Sequence, residues 1–228
     1  MDYRGDSFII SEFISYIENK NFPCVAAKAS VNKTNCNIMV ADNIACPKDD
    51  AAILKFLYDF VDDYRNADNA FSSLAIIFKN SQPDTEDLFD TLMWQRLQAL
   101  SVLDAEQYSY DKRVNNDPDS ANFSFSIKEE AFFIIGLHSA SSRVARKFKY
   151  PTLVFNPHAQ FEAMKQTEQY NKIQKIVRKR DLYLSGSINP MLENYGTASE
   201  VYQYSGKQYD AQWQCPLNIQ HATNNTTP

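Results

Sequence analysis

Phe123-Ser124-Phe125-Ser126-Ile127-Lys128-Glu129-Glu130-Ala131-Phe132-Phe133-Ile134-Ile135-Gly136-Leu137 is the stretch that decides the fold. Apolar and hydroxyl side chains alternate from Phe123 to Ile127, the period of a strand with one buried face. Charged residues interrupt, and an apolar run follows. The spacing predicts strands over Phe123 to Ile127 and Ala131 to Leu137, joined in a tight hairpin around Lys128-Glu129-Glu130.

Outward from this hairpin, Thr152 to Phe155 reads as another strand. Asn156-Pro157 then reads as a helix start, with Asn as N-cap and Pro at the first helical position. The helical region it opens is expected to run to about Arg180. Toward the N-terminus, Val25 to Ser30 and Ile38 to Ala41 read as a strand pair, and Ser73 to Phe78 as a buried strand. Amphipathic spacing predicts helices over Ser7 to Glu18, Asp49 to Tyr64 and onward from Pro83-Asp84-Thr85. Asp104 to Asn122, rich in Asp, Asn and Pro, reads as a long surface loop of the kind that is often functional. The expected class is α+β: a mainly antiparallel sheet built of hairpins, with helices inserted and packed on it. One domain is expected over 1–217, with a polar, disordered tail over 218–228.

The chain has 228 residues, 44% of them hydrophobic, enough for one large core. Its 15 Phe, 13 Tyr and 2 Trp suit a ring-rich core and also a cavity for a flat apolar ligand. Only five glycines are present, and neither G-x-G-x-x-G nor G-x-x-x-x-G-K-[ST] occurs, against the common nucleotide-binding loops. No G-x-S-x-G is present either, against a serine hydrolase. No signal peptide or membrane span is read, so a cytoplasmic location is expected, with no membrane partner. Cys24, Cys36, Cys46 and Cys215 lack C-x-x-C spacing and are expected as free thiols rather than a zinc set.

Net charge is −5, unevenly spread: Ser142 to Arg180 holds ten Lys/Arg against two acids. A solvated helix face, an internal anion site or a nucleic-acid surface would each account for it. The basic residues are not interleaved with exposed aromatics and the whole chain is acidic, so no nucleic-acid partner is expected.

His138 closes the apolar run of the second hairpin strand, and His158 follows Asn156-Pro157. Element ends present side chains into clefts. For His158, the partial positive charge of a helix N-terminus favours the neutral imidazole that iron requires. For any lone histidine, packing or capping is the commoner role. His138 at a strand end suits hydrogen bonding equally well. His221, in the polar tail, is discounted.

Phe132-Phe133-Ile134-Ile135-Gly136-Leu137-His138, Ser142-Arg143-Val144-Ala145-Arg146-Lys147-Phe148 and Pro151-Thr152-Leu153-Val154-Phe155-Asn156-Pro157-His158-Ala159-Gln160-Phe161-Glu162 together resemble the YqcI/YcgG family. Phe22-Pro23-Cys24, Asp111-Lys112-Arg113-Val114, Asp117-Pro118, Gly186-Ser187-Ile188-Asn189-Pro190-Met191-Leu192, Gln203-Tyr204-Ser205-Gly206, Trp213 and Cys215-Pro216 extend the resemblance over about residues 20 to 217. It implies a haem-dependent oxygenase that N-hydroxylates a guanidine-containing, arginine-like amino acid or related nitrogen substrate, with O2 and an electron donor, or peroxide.

The cofactor implied is haem b. His158 is the expected axial iron ligand, His138 the alternative and Cys24 the third choice; Arg143 and Arg146 would meet the propionates. Glu162 and Asp117 are the carboxylates considered for a guanidinium. A homodimer is allowed. A haem-binding sensor or carrier without catalysis, bis-histidine ligated, is the alternative reading. Departures from the family pattern are Ser139 where Pro is usual, Ala26 for an aromatic, and no Arg between Glu200 and Gln203.

Overall fold

The computed structural model describes residues 3–66, 71–165, 179, 182–183 and 198–221. Helix α1 (Tyr3–Glu18) buries Ile9, Phe13 and Ile17, four residues apart, and leaves Phe8 outside. Helix α2 (Val25–Asn32) replaces the strand expected over Val25 to Ser30. Ala26, Ala27 and Ala29 are strong helix formers, and Cys24 Sγ caps the helix by accepting from the Ala27 N–H at 3.4 Å. Strand β1 (Cys36–Ala41) therefore has no hairpin partner before it. Through helix α3 (Asp50–Asn66) it crosses over to run parallel with strand β2 (Ser73–Phe78).

Helix α4 (Glu86–Ala105) starts where Thr85 Oγ1 accepts from the Leu88 N–H at 3.1 Å. Strands β3 (Phe125–Ile127) and β4 (Glu130–Leu137) form the expected hairpin, closed by Lys128 and Glu129. Both turn residues have positive φ, 52° and 56°, as a type I′ turn demands, although neither is Asn or Gly. The turn is held from two sides. The Lys128 N–H donates to the Asp104 carboxylate, and the Arg65 guanidinium donates to both turn carbonyls at 2.9 Å. Strand β5 (Thr152–Pro157) lies antiparallel between β2 and β4, giving a five-stranded sheet in the order β1-β2-β5-β4-β3.

The sheet is α+β and mostly antiparallel, with helices on both faces. Leu74, Ile76 and Phe78 join the larger core under α3, α4 and the short helix α6 (Val201–Tyr204). Ala75 and Ile77 turn to the smaller core under α1. Helix α5 (His158–Lys165) follows β5 without a break. Asn156 and Pro157 are therefore strand residues, not the first residues of a helix, and the Asn156 amide donates across the sheet to the Phe133 carbonyl at 3.2 Å. The expected continuation toward Arg180 and the Gly186 to Leu192 motif lie outside the described residues, apart from isolated positions.

The C-terminal stretch differs from the free tail expected from Asn218. Asn218 exchanges hydrogen bonds with the Gln98 side chain, 2.7 and 2.9 Å, and His221 is buried against Asp104. Residues 222–228 lie outside the described residues. No helix among the described residues is long and apolar enough to cross a membrane.

Candidate functional site

The register of β4 and β5 divides the candidate residues into two groups. Leu137 pairs with Thr152 and Phe132 with Pro157. His138 follows Leu137 and His158 follows Pro157, so the two histidines stand at opposite ends of one strand pair. Seven residue steps at about 3.3 Å each, counted from His138 to the position opposite His158, separate them by roughly 23 Å. Two imidazoles that bind one metal ion would each lie about 2 Å from it. The two histidines thus cannot ligate one iron together, which overturns the bis-histidine arrangement.

At the first end, His138 is fully buried and stacks on Phe89 of α4, with centroids 4.1 Å apart and an interplanar angle of 15°. Gly136 admits that ring: a Cβ there would stand 2.7 Å from Phe89 Cε1. Both imidazole nitrogens of His138 are buried without a hydrogen-bond partner among the described residues. Burial, with the Arg146 charge adding to it, lowers the ring pKa from 6.5 to about 4. The imidazole is therefore neutral at physiological pH. A buried polar group left unsatisfied costs about 1–3 kcal/mol, so this ring calls for a partner.

Arg146 lies at the same end. Its guanidinium donates to the carbonyls of Gly136, Tyr204 and Gln203 at 3.0, 3.1 and 2.9 Å. It thereby holds β4 to the end of α6. Its role in the fold is a backbone clamp, which sequence reasoning did not anticipate. The Arg146 aliphatic stem packs where a Cβ on Gly206, at φ +85°, would come within 3.3 Å. Arg143 is half-buried in the same loop. Glu86 of α4 fixes that loop by accepting from the Ser142 N–H and hydroxyl at 2.9 and 3.0 Å. Cys24 also belongs to this end, since the Arg146 charge reaches its thiol. Burial, the largest influence, raises the thiol pKa and works against a thiolate ligand.

At the second end, His158 is 7% exposed and sits between two carboxylates. Its Nδ1 is 3.9 Å from Glu200 and its Nε2 is 3.5 Å from Glu162. Glu200 is buried, and one of its oxygens accepts from the hydroxyls of Ser124 and Tyr204 at 2.7 and 2.5 Å. Burial and the Glu200 charge raise the Tyr204 pKa well above its usual value. Glu200 was visible in the sequence only as an acid of the later motif. Its burial beside His158, 42 positions earlier, had no local signal. Asp117, by contrast, lies in an exposed turn where its side chain accepts from the Asp119 N–H at 3.1 Å.

His221 forms a third buried cluster. Its Nε2 is 2.9 Å from Asp104, and both side chains are fully buried. Among the described residues, no three His, Cys, Asp or Glu converge as a metal-binding group.

The YqcI/YcgG family profile matches residues 11–218, a span that holds all three clusters except His221. The chain belongs to the YqcI/YcgG family. It is similar to an uncharacterized protein, YqcI, of Bacillus subtilis (strain 168), with 28% identity over 215 residues. That alignment covers 91% of this chain and 82% of the relative. No solved structure matches. Within the YqcI/YcgG stretch, His138, Arg143 and Arg146 form one neighbourhood, and His158, Glu162 and Glu200 another.

Proposed function

We propose that the chain is a haem-dependent N-oxygenase of a guanidine-bearing amino acid, with His138 as the iron ligand. One observation supports this ligand above the others: His138 is neutral, enclosed, and lacks a partner for either ring nitrogen. That is the chemistry of an imidazole awaiting a metal. Haem iron asks for a single such donor from this face, so the lack of a multi-residue metal cluster is no obstacle. Bound haem supplies the iron at which O2 or peroxide is activated. His138 would hold that group, and Arg143, in the adjoining loop, would meet a propionate. Arg146 fixes the loop through its carbonyl contacts. A guanidinium needs a carboxylate partner. Glu86 is the carboxylate tied to this end, whereas Glu162 stands at the far end of β5.

A second reading follows from His158. A metal-bound histidine commonly gives its other ring N–H to a carboxylate, and Glu200 lies on the Nδ1 side of His158. Haem-loaded His138→Ala and His158→Ala, compared by absorption spectrum, separate the readings. Loss of the haem band with His138→Ala alone supports His138. Loss with His158→Ala alone moves the iron to the Glu200 end. A colourless wild type after haem supplementation removes the oxygenase and the non-catalytic haem carrier together. With a loaded protein, turnover of arginine-like guanidines distinguishes the enzyme from the carrier.

A further inference from the structure

Both tryptophans of the chain and three of its tyrosines meet in one run of rings. Tyr204 of α6 lies over Trp94 of α4, with centroids 5.9 Å apart and planes at 25°. Trp94 lies 5.9 Å from Trp213, and Trp213 stacks on Tyr209 at 3.7 Å and 18°. Tyr202 closes against Trp213 at 5.2 Å. Indole and phenol give up a single electron far more readily than the phenyl rings of Phe132 and Phe155, which fill the core nearby. The polar ends of these rings converge as well. Asp90 Oδ1 accepts from the Trp94 Nε1–H at 2.9 Å and from the Tyr209 hydroxyl at 2.5 Å. The indole nitrogen and the phenol oxygen are themselves 3.3 Å apart. Since Tyr209 gives its hydrogen to Asp90, the Ser205 hydroxyl, 2.7 Å away, donates to Tyr209. Lys207 places its ammonium 3.7 Å from the other Asp90 oxygen. A neutral acceptor would satisfy both ring donors, so packing alone does not call for a carboxylate here. An indole or phenol that loses an electron also sheds its proton, and a base already in contact eases that loss.

The run begins beside the His138 end. Asp90 follows Phe89, the ring stacked on His138, and Trp94 follows Met93, whose sulfur a Cβ on Gly136 would meet at 3.2 Å. Its other end, Trp213, is half-buried between exposed Gln212 and Gln214. We propose that Trp94, Tyr209 and Trp213, with Asp90 as proton acceptor, form a one-electron relay between the surface and the His138 end. The relay rests on the haem reading for its oxidant, the iron once it has reacted with O2 or peroxide. That oxidant takes one electron from Trp94, and the indole N–H proton passes to Asp90 Oδ1. Tyr209 then gives one electron to Trp94. Its hydroxyl proton passes to Asp90 as the first proton returns to the indole nitrogen. The net result is an oxidant reduced by one electron, a Tyr209 phenoxyl radical and one proton held on Asp90. A soluble one-electron donor resets the relay across the Trp213 ring, and the proton on Asp90 returns to the Tyr209 oxygen.

The test uses the full chain, first without cofactor. Azide radicals made by pulse radiolysis take one electron from tryptophan in preference to tyrosine. The indolyl absorption should then convert to phenoxyl absorption at a rate independent of protein concentration. Tyr209→Phe should remove this fast phase, and Asp90→Asn should slow it on the order of a hundredfold. Tyr64→Phe, at a ring stacked on Phe60 of α3 and outside the run, should leave it as in wild type. If Asp90→Asn does not fold, wild type in heavy water decides instead: the phase should be slower there, and an equal rate overturns the role of Asp90. A phase that is missing in wild type, or that survives Tyr209→Phe unchanged, overturns the relay. None of these readings needs haem, so a chain that shows the phase but takes up no haem removes the haem reading and leaves the relay standing. In loaded protein, peroxide should leave a phenoxyl radical, seen by paramagnetic resonance, that Tyr209→Phe loses. No radical, or one untouched by that substitution, overturns the link to iron.

Discussion

A Cβ built on Gly136 would stand 2.7 Å from Phe89 Cε1 and 3.2 Å from Met93 Sδ. Both neighbours are fully buried in α4, so neither has free space to enter. Gly136→Ala should therefore overpack the site and cost roughly 1–3 kcal/mol. The check is the denaturant midpoint, expected to fall with its slope unchanged. A midpoint equal to wild type would mean that Phe89 is less firmly seated on His138 than its stacking indicates.

The lowered pKa of His138 makes stability depend on pH. The folded value is about 4 against 6.5 for a free ring, so between those values the unfolded chain binds more protons. The contribution is whole above pH 6.5 and is lost as pH falls toward 4. A shift of this size corresponds to at most about 3 kcal/mol. Carboxylates titrate in the same range, so the measurement is a difference. Across that window, His138→Phe should lose less stability than wild type, and parallel curves would contradict the neutral buried ring.

His221→Ala should be among the more damaging substitutions outside the sheet. It strips one hydrogen-bond partner from a fully buried Asp104 carboxylate, and such a loss costs about 1–3 kcal/mol. Thermal unfolding with and without the substitution reads this directly. Asp104 also accepts from the Lys128 N–H at 3.0 Å. Faster amide exchange at the hairpin turn should accompany the loss.

Arg146→Lys separates the clamp from the charge. An ammonium keeps the charge but cannot serve the Gly136, Tyr204 and Gln203 carbonyls together. A loss of about 2 kcal/mol is expected in cofactor-free protein, measured by denaturant unfolding. A variant as stable as wild type would mean that the clamp adds little to the fold.

The hairpin was legible because its alternation and its charged turn both point to one local structure. The β2 strand and α4 were legible for the same reason, since a dense apolar run and a Thr85 cap are signals within a few residues. Val25 to Ser30 misled because a short, mostly apolar run fits a helix as well as a strand, and the alanines and the Cys24 cap favoured the helix. The placement of His138 and His158 at ends of regular elements was readable, but their separation was not. That distance depends on which strand lies beside β4 and in which direction it runs. Asp104 with His221, and His158 with Glu200, are contacts between distant parts of the chain, and neither partner carries a mark of the other. Asn218 to His221 looked like a tail because polar composition says nothing about a docking site 117 residues upstream.

The strand order has a consequence for how the chain reaches this structure. β2 and β4 are both next to β5, the last of the five described strands to be made, and no other described strand joins them within the sheet. Until Thr152 to Pro157 arrives, Ser73 to Phe78 has one open side and no charged residue to guard it. Nascent or truncated chains ending before β5 thus carry an adhesive apolar strand. Closing the sheet brings together segments about eighty positions apart, which favours slow folding and makes β5 the step that ends exposure to aggregation.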